Sequence, residues 1–134
     1  MIISGNELNA MSALALAHMG DAVYELLARR ELCRSGKLTA GDLHRQTVRI
    51  VSAAAQAVAA RRLQPFLTEE ETAVYRRGRN SHSHAAPRSV SAVEYHAATG
   101  LEALFGWLYL KGRQERINEL FAQIISSDVP AIEG

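Results

Sequence analysis

The chain has 134 residues, of which 48% are hydrophobic and 22% charged, a composition that predicts a single globular domain over residues 1–134. Cys33 is the only cysteine, which excludes an intramolecular disulfide, and no leader pattern opens the sequence, so we expect a reducing, cytoplasmic location. The longest apolar stretches are alanine-rich and far shorter than the roughly 20 residues that cross a bilayer, which excludes a membrane-spanning protein.

The net charge of +1 conceals an uneven distribution along the chain. Residues 1–25 and residues 94–134 each carry a charge of −3, whereas residues 26–93 carry +7. A basic centre between acidic ends favours a polyanionic partner for the centre. Because an ordinary solvated helix face gives the same pattern, charge alone leaves both interpretations open.

Helical patterns follow one another from the N-terminus. Apolar residues recur at helical spacing from Ser12, a candidate N-cap, until a stop signal at residues 34–36. Thr39 followed by Asp42 resembles a capping box, and it opens a helical stretch that is predicted to continue to Leu63.

Three further helices are predicted, at about residues 68–77, 91–112 and 117–125. The first two open with the Ser/Thr-x-x-Glu pattern of a capping box. Residues 78–90 between them contain Asn, Ser, His and Pro and almost no apolar side chain, so we expect one long loop there. No alternating apolar pattern competes, and the sequence therefore predicts an all-α bundle.

One acidic residue lies within an apolar stripe of the helix that begins after Ser12. The residues that form this stripe around Asp21 are Leu14, Ala17 and Ala28. A carboxylate so placed should be partly desolvated, and it must then be paired, hydrogen-bonded or bound to a metal. An ordinary ion pair with Arg29 or Arg45, or a position at the solvent rim, is the alternative.

A second acidic residue lies in the most apolar helix of the chain. From residue 97 to residue 110, Glu102 is the only charged residue, so this helix should be central and its carboxylate should face a partner charge or a cation. Three glycines lie inside helices, where each costs about 1 kcal/mol relative to alanine: Gly20, Gly100 and Gly106. Close contact between helix backbones would explain that cost, and we expect these helices to cross near Asp21 and Glu102.

Two carboxylates at one site repel each other unless a proton or a metal lies between them. Mg²⁺ commonly uses one or two carboxylates together with substrate phosphate and water. The sequence has no dinucleotide-binding glycine motif, P-loop, nucleophile elbow or HExxH zinc motif. Metal-assisted phosphoester chemistry is therefore the favoured interpretation.

These residues also carry a family resemblance. The segment LALAHMGDAVYELLARREL, with Gly-Asp-Ala-Val at residues 20–23, resembles the signature helix of ribonuclease III domains. TGLEALFGWLYL resembles the second acidic helix of that family, with Glu102 at its metal-ligand position. RRGRN at residues 76–80, followed by a loop of Ser, His and Pro, is similar to the small subgroup called Mini-ribonuclease III.

The resemblance implies a ribonuclease III-like helical endonuclease domain. It implies a homodimeric, Mg²⁺-dependent endoribonuclease that cuts double-stranded RNA, with Asp21 and Glu102 as both catalytic residues and metal ligands. Its implied substrate is a stem in the precursor of the large-subunit (23S) ribosomal RNA. Typical ribonuclease III domains carry two further acids, at positions that hold Ala17 and Thr99 here. Glu25, one turn after Asp21, is either a solvent-facing residue or a holder of metal-bound water.

No separate double-stranded-RNA-binding domain is expected, so the catalytic domain must supply its own contacts to RNA. The loop at residues 78–90 and the basic residues before it are the candidates, because they carry positive charge and hydrogen-bond donors for phosphates. The predicted RNA-binding residues are Arg76, Arg77, Arg79, Asn80, His82, His84 and Arg88. The alternative function is a non-catalytic helical RNA-binding or scaffold module that has lost half of the acids.

Overall fold

The computed structural model describes residues 3–36, 38–81 and 91–133, with side chains described as far as residue 126, and these ranges contain seven α-helices and no strand. The helices are α1 (Gly5–Ala10), α2 (Ala13–Cys33), α3 (Ala40–Val51), α4 (Ala53–Leu63), α5 (Glu69–Arg79), α6 (Ala92–Leu110) and α7 (Gln114–Glu133), with a 3₁₀ turn at Gln64–Phe66. The all-α prediction is confirmed. None of the helices in the described ranges has the length together with the hydropathy that crossing a bilayer requires.

Hydroxyl side chains begin the predicted helices. The four predicted caps each accept a hydrogen bond from a backbone N–H of the first turn: Ser12, Thr39, Thr68 and Ser91. The capping boxes at Thr39 and Thr68 are reciprocal, since Asp42 and Glu71 accept from the cap backbone in return.

Several helices differ from the sequence prediction, and one of them is α7, which begins at Gln114 and ends at Glu133 rather than spanning residues 117–125. A capping box between Ser4 and Glu7 begins the short helix α1, which was not predicted. The single stretch predicted to reach Leu63 is two helices, because Ser52 is extended and caps α4 through its hydroxyl. Helix α5 continues through Gly78 to Arg79, so the chain leaves the helix two residues later than predicted.

Helix α6 is the centre of the bundle, as its composition predicts. It packs against α2, α5, α4 and α7, with its largest interface on α2. Tyr24 of α2 makes edge-on ring contacts with Phe105 of α6 at 5.3 Å and with Phe121 of α7 at 5.6 Å between ring centroids. The apolar middle of α6 is therefore buried by four partner helices, whereas Val93 and Tyr109 near its ends are exposed.

Glycines allow α2 and α6 to touch backbone to backbone. A Cβ atom on Gly20 would lie 1.6 Å from the carbonyl oxygen of Glu102, and a Cβ on Gly106 would lie 2.0 Å from that of Leu16. The expected crossing near Asp21 and Glu102 is thus confirmed. Gly100 serves a different contact, because a Cβ there would lie 2.8 Å from the Tyr75 carbonyl oxygen of α5.

A buried ion pair joins α5 to α7. Glu71 is only 3% exposed and accepts two hydrogen bonds of 2.8 Å from the Arg116 guanidinium, which also donates to the carbonyl of Phe66. These hydrogen bonds, together with those from Thr68, hold the pKa of Glu71 below its ordinary value of 4.5 although burial opposes the shift.

We expect Glu71→Gln to lower the free energy of unfolding near neutral pH by about 1 to 3 kcal/mol, because Arg116 loses its charged partner. Since the folded-state pKa of Glu71 is lowered, this contribution is present above pH 4.5 and is lost as the pH falls through the lowered pKa. Thermal melts should show a difference in melting temperature between variant and wild type at about pH 7, and this difference should be smaller at about pH 3. An equal difference at both pH values would contradict the assignment.

Candidate active site

The crossing of α2 and α6 brings the two predicted acids together. The contact between Gly20 and the backbone of Glu102 places the next residue of α2, Asp21, beside the Glu102 side chain. The two carboxyl groups lie within hydrogen-bonding reach of each other. Residues that are far apart in the chain thus form one acidic site.

The two acids differ in exposure. Glu102 is half-buried, whereas Asp21 is exposed. The expected partial desolvation of Asp21 was therefore wrong, and the alternative position at the solvent rim is confirmed. Its stripe neighbours Ala17 and Ala28 are buried, but a methyl group covers little of a longer side chain next to it. Burial therefore acts on Glu102 and leaves Asp21 open to solvent.

Electrostatics favour the protonated form of Glu102. Its pKa is raised to about 8, first because burial disfavours the charged carboxylate, and then because the negative charge of Asp21 and the hydrogen bond between the two carboxyls add to the effect. The amide of Gln56 acts in the opposite direction. The Glu102 carboxyl is therefore protonated at neutral pH, which removes one of the two negative charges that would repel each other at this site.

Gln56 is a site residue that the sequence interpretation missed. It lies on α4, is 2% exposed and faces the Glu102 carboxyl. Although the amide favours the charged form of Glu102, no contact of its Nε2 atom meets hydrogen-bonding geometry. Gln56 is therefore a close neighbour of Glu102, and its Nε2 donor makes no hydrogen bond in this structure. The available signal was that Gln56 is the only polar residue between residues 53 and 60.

The positions that carry acids in typical ribonuclease III domains contribute no carboxylate here. Ala17 is buried, and the Thr99 hydroxyl donates a 3.0 Å hydrogen bond to the backbone carbonyl of Tyr95. In the described part of the chain, no group of three or more His, Cys, Asp or Glu side chains is arranged for a metal. The carboxylates that this part of the site offers are therefore those of Asp21 and Glu102.

The alternative partners of Asp21 are engaged elsewhere. Arg29 forms a 2.6 Å ion pair with Glu25 one turn earlier on α2, and Arg45 pairs with Asp42. The ordinary ion pair considered for Asp21 is thus not formed by either arginine. The pairing of Glu25 with Arg29 agrees with the solvent-facing interpretation of Glu25.

The predicted RNA-binding residues fall into two groups. Arg76, Arg77 and Arg79 form the last turn of α5 and Asn80 caps it, while His82, His84 and Arg88 lie outside the described residues. Arg77 donates a 3.2 Å hydrogen bond to the Met11 carbonyl. Arg79 lies 5.8 Å from the centroid of the Tyr75 ring and donates to the Asn80 side chain.

The basic end of α5 lies close to the acidic site. A Cβ atom on Gly78 would lie 3.0 Å from the carbonyl oxygen of Thr99. Thr99 precedes Glu102 by three residues, which is about 4.5 Å along a helix. The last turn of α5 therefore packs beside the part of α6 that carries Glu102.

Known proteins resemble this chain over most of its length. The sequence model of the ribonuclease III domain matches residues 14–113. The chain is 50% identical over 107 residues to the Mini-ribonuclease 3 of Symbiobacterium thermophilum, covering 80% of this chain and 82% of that protein. It is 39% identical over 121 residues to the Mini-ribonuclease 3 of Clostridium tetani, covering 90% of this chain and 80% of that protein. A crystal structure of a Fusobacterium nucleatum protein matches with a TM-score of 0.81 and 29% identity, over 91% of this chain and 98% of that chain.

The chain belongs to the ribonuclease III family. It is an endoribonuclease, and the relatives that it matches over most of their length place it in the Mini-ribonuclease III group. The family expectation from the sequence is confirmed. The matched range includes both Asp21 and Glu102 and the whole of α5 and α6.

Proposed function

We propose that Asp21 and Glu102 are the catalytic residues and metal ligands of a Mg²⁺-dependent endonuclease that cuts double-stranded RNA. The observation that carries this proposal is the pair of carboxyl groups in contact at the crossing of α2 and α6, with the pKa of Glu102 raised to about 8. Two such groups are costly without a proton or a cation between them, and their oxygens are ligands that Mg²⁺ prefers.

The donor set fits a magnesium site with few protein ligands. Mg²⁺ usually keeps several waters and is held by one or two carboxylates together with substrate phosphate, which agrees with the absence of carboxylates at Ala17 and Thr99. When bound, the ion would supply an activated water and charge stabilisation for the leaving oxygen. Glu102 would anchor the site on the rigid central helix, while exposed Asp21 would face the substrate.

The proposal also covers the form of the substrate and the assembly. Double-stranded RNA is recognised largely through its shape, its phosphates and its 2′-hydroxyls, and the arginines at the end of α5 suit phosphates. We propose a homodimer in which each subunit cuts one strand, acting on a stem of the 23S ribosomal RNA precursor. The family resemblance supports this finer assignment, and the cytoplasmic location stays a prediction.

Incubation of the protein with a duplex RNA in millimolar Mg²⁺ tests the function directly. We expect cuts in both strands that leave 5′-phosphate and 3′-hydroxyl ends, and we expect a chelator to stop the reaction. Binding of the duplex without any cleavage would instead support the non-catalytic RNA-binding module.

Replacing Arg76 and Arg79 by alanine should weaken duplex binding regardless of RNA sequence. If both side chains neutralise phosphates, the slope of log affinity against log salt should fall by about 0.7 to 0.9 for each phosphate that is no longer neutralised. Both arginines are exposed, so the melting temperature should barely change. Binding measured at several salt concentrations, beside a thermal melt, gives both quantities.

One arginine variant serves as the control for this measurement, and a second tests a structural contact made by a predicted RNA-binding residue. Arg113→Ala removes an exposed arginine beyond the opposite end of α6, and its salt slope should equal that of the wild type. Arg77→Ala should lower stability by about 0.5 to 1 kcal/mol, because it removes the hydrogen bond to the Met11 carbonyl. An unchanged salt slope in the double variant would refute the role of α5 in RNA binding.

A further inference from the structure

A single polar residue interrupts the buried face of α4. This face consists of Gln56, Ala59, Ala60 and Leu63, which are spaced so that they share one side of the helix. The three apolar residues are 0 to 3% exposed and Gln56 is 2% exposed. An amide at such a position loses its hydration, so it needs a partner within the protein.

The structure leaves part of that amide without a partner. Among the described residues, Nε2 of Gln56 is the one fully buried side-chain nitrogen or oxygen that has no hydrogen bond. A buried donor that is left unpaired has lost its hydrogen bonds to water without replacement, which destabilises the folded state. Alanine would fit the helix at this position, as it does at neighbouring positions, and would bury no unpaired donor. The amide is therefore expected to have a hydrogen-bond partner in another state of the protein.

The Glu102 carboxyl lies close enough to this amide for Gln56 to act on its pKa. A carboxylate has two oxygens with about four acceptor sites, so it can bind a cation and still accept a hydrogen bond from a neighbouring donor. Ligand side chains of metal sites are regularly held in orientation by such outer hydrogen bonds. Gln56 approaches Glu102 from α4, whereas Asp21 approaches it from α2.

We propose that Gln56 is a positioning residue whose Nε2 donates to the Glu102 carboxylate when that carboxylate holds the divalent cation. The inference rests on the proposed magnesium-dependent function and adds a third helix, α4, to the site. Gln56 touches neither the RNA nor the reacting atoms in this role. It fixes the orientation of Glu102.

The variant Gln56→Met tests this role, because methionine has a similar length and volume but no hydrogen-bond donor. We expect the affinity for Mg²⁺, and for Mn²⁺ as a second probe, to fall by about 10- to 100-fold. The melting temperature of the metal-free variant should stay equal or rise, because an unpaired buried donor is removed. Calorimetry without RNA measures the affinity, and the rise in melting temperature with added metal measures it independently.

The control variant is Gln64→Met at the end of the same helix. Gln64 is exposed and its Nε2 donates a 2.9 Å hydrogen bond to the Ala60 carbonyl, so metal affinity should not change. In cleavage assays, Gln56→Met should need a proportionally higher Mg²⁺ concentration for half of its maximal rate. Should Gln56→Met fail to fold, Gln56→Asn replaces it, because the shorter amide should not reach Glu102 and the same fall in metal affinity is expected.

The outcomes separate the two proposals. Wild-type metal affinity in a folded Gln56→Met variant overturns the positioning role, whether or not the melting temperature has changed. Weakened affinity in a variant that circular dichroism shows to be folded supports it. A wild-type protein that binds no Mg²⁺ overturns the proposed function itself, and the positioning role with it.

Discussion

Asp21→Asn, or Glu102→Gln, is expected to lower the rate of duplex RNA cleavage by about 10³-fold or more. Each substitution keeps the shape of the side chain but removes one of the two carboxylates that the described part of the site would offer to the cation. Metal-ion catalysis supplies several kcal/mol to such reactions. Single-turnover cleavage of a labelled duplex at saturating Mg²⁺ measures this loss. Binding of the duplex and circular dichroism should stay close to those of the wild type.

The matched control for this result is Glu25→Gln on the same helix. Glu25 is a nearby acid, but its carboxylate is paired with Arg29, and removal of an exposed pair of this kind changes little. Its cleavage rate should therefore remain within a few-fold of the wild type. Near-normal cleavage by Asp21→Asn or Glu102→Gln would remove these residues from the catalytic assignment.

Gly20→Ala and Gly106→Ala are each expected to destabilise the fold by about 3 kcal/mol or more. The added methyl groups would lie 1.6 Å and 2.0 Å from backbone carbonyl oxygens of the facing helix, so α2 and α6 would have to separate. A flexible side chain could move away from such a contact, but a helix backbone cannot do so alone. The melting temperature should fall by at least about 10 °C in a chain of this size.

Gly5→Ala provides the comparison for these variants. A Cβ atom on Gly5 meets no other atom within 4 Å, and Gly5 lies in a helix. Its stability should stay within about 0.5 kcal/mol of the wild type. If Gly20→Ala and Gly106→Ala proved equally harmless, the close contact between α2 and α6 would be disproved.

Much of the fold could be predicted because its signals are local. The hydroxyl caps at Ser12, Thr39 and Thr68 satisfy backbone groups within one turn, so their pattern is visible in the sequence. The glycines inside α2 and α6 indicated a close crossing, because glycine destabilises a helix interior and close packing of two backbones can offset that effect. The break at Ser52 could not be seen in the same way, because the apolar periodicity continues across it.

The site itself was predicted only in part. The sequence placed each acid on a helix and within apolar surroundings. The exposure of Asp21 was not predicted, because it depends on how far the side chain reaches beyond the neighbouring alanines. Gln56 was missed because its role depends on the helix that α4 packs against. The sequence of α4 alone does not show that Gln56 faces Glu102. Contacts between helices are fixed by packing, which periodicity along one helix does not encode.

The backbone contact between Gly20 and Glu102 has a consequence for how the enzyme loses activity. Because each half of the acidic site lies on one of two helices that share the largest interface of the bundle, the site cannot open while the rest of the core stays intact. Regions that unfold locally at low cost are those with few buried contacts, and α6 is the opposite of such a region. Inactivation by heat or denaturant should therefore be cooperative, coinciding with the unfolding of the central helix in a single transition.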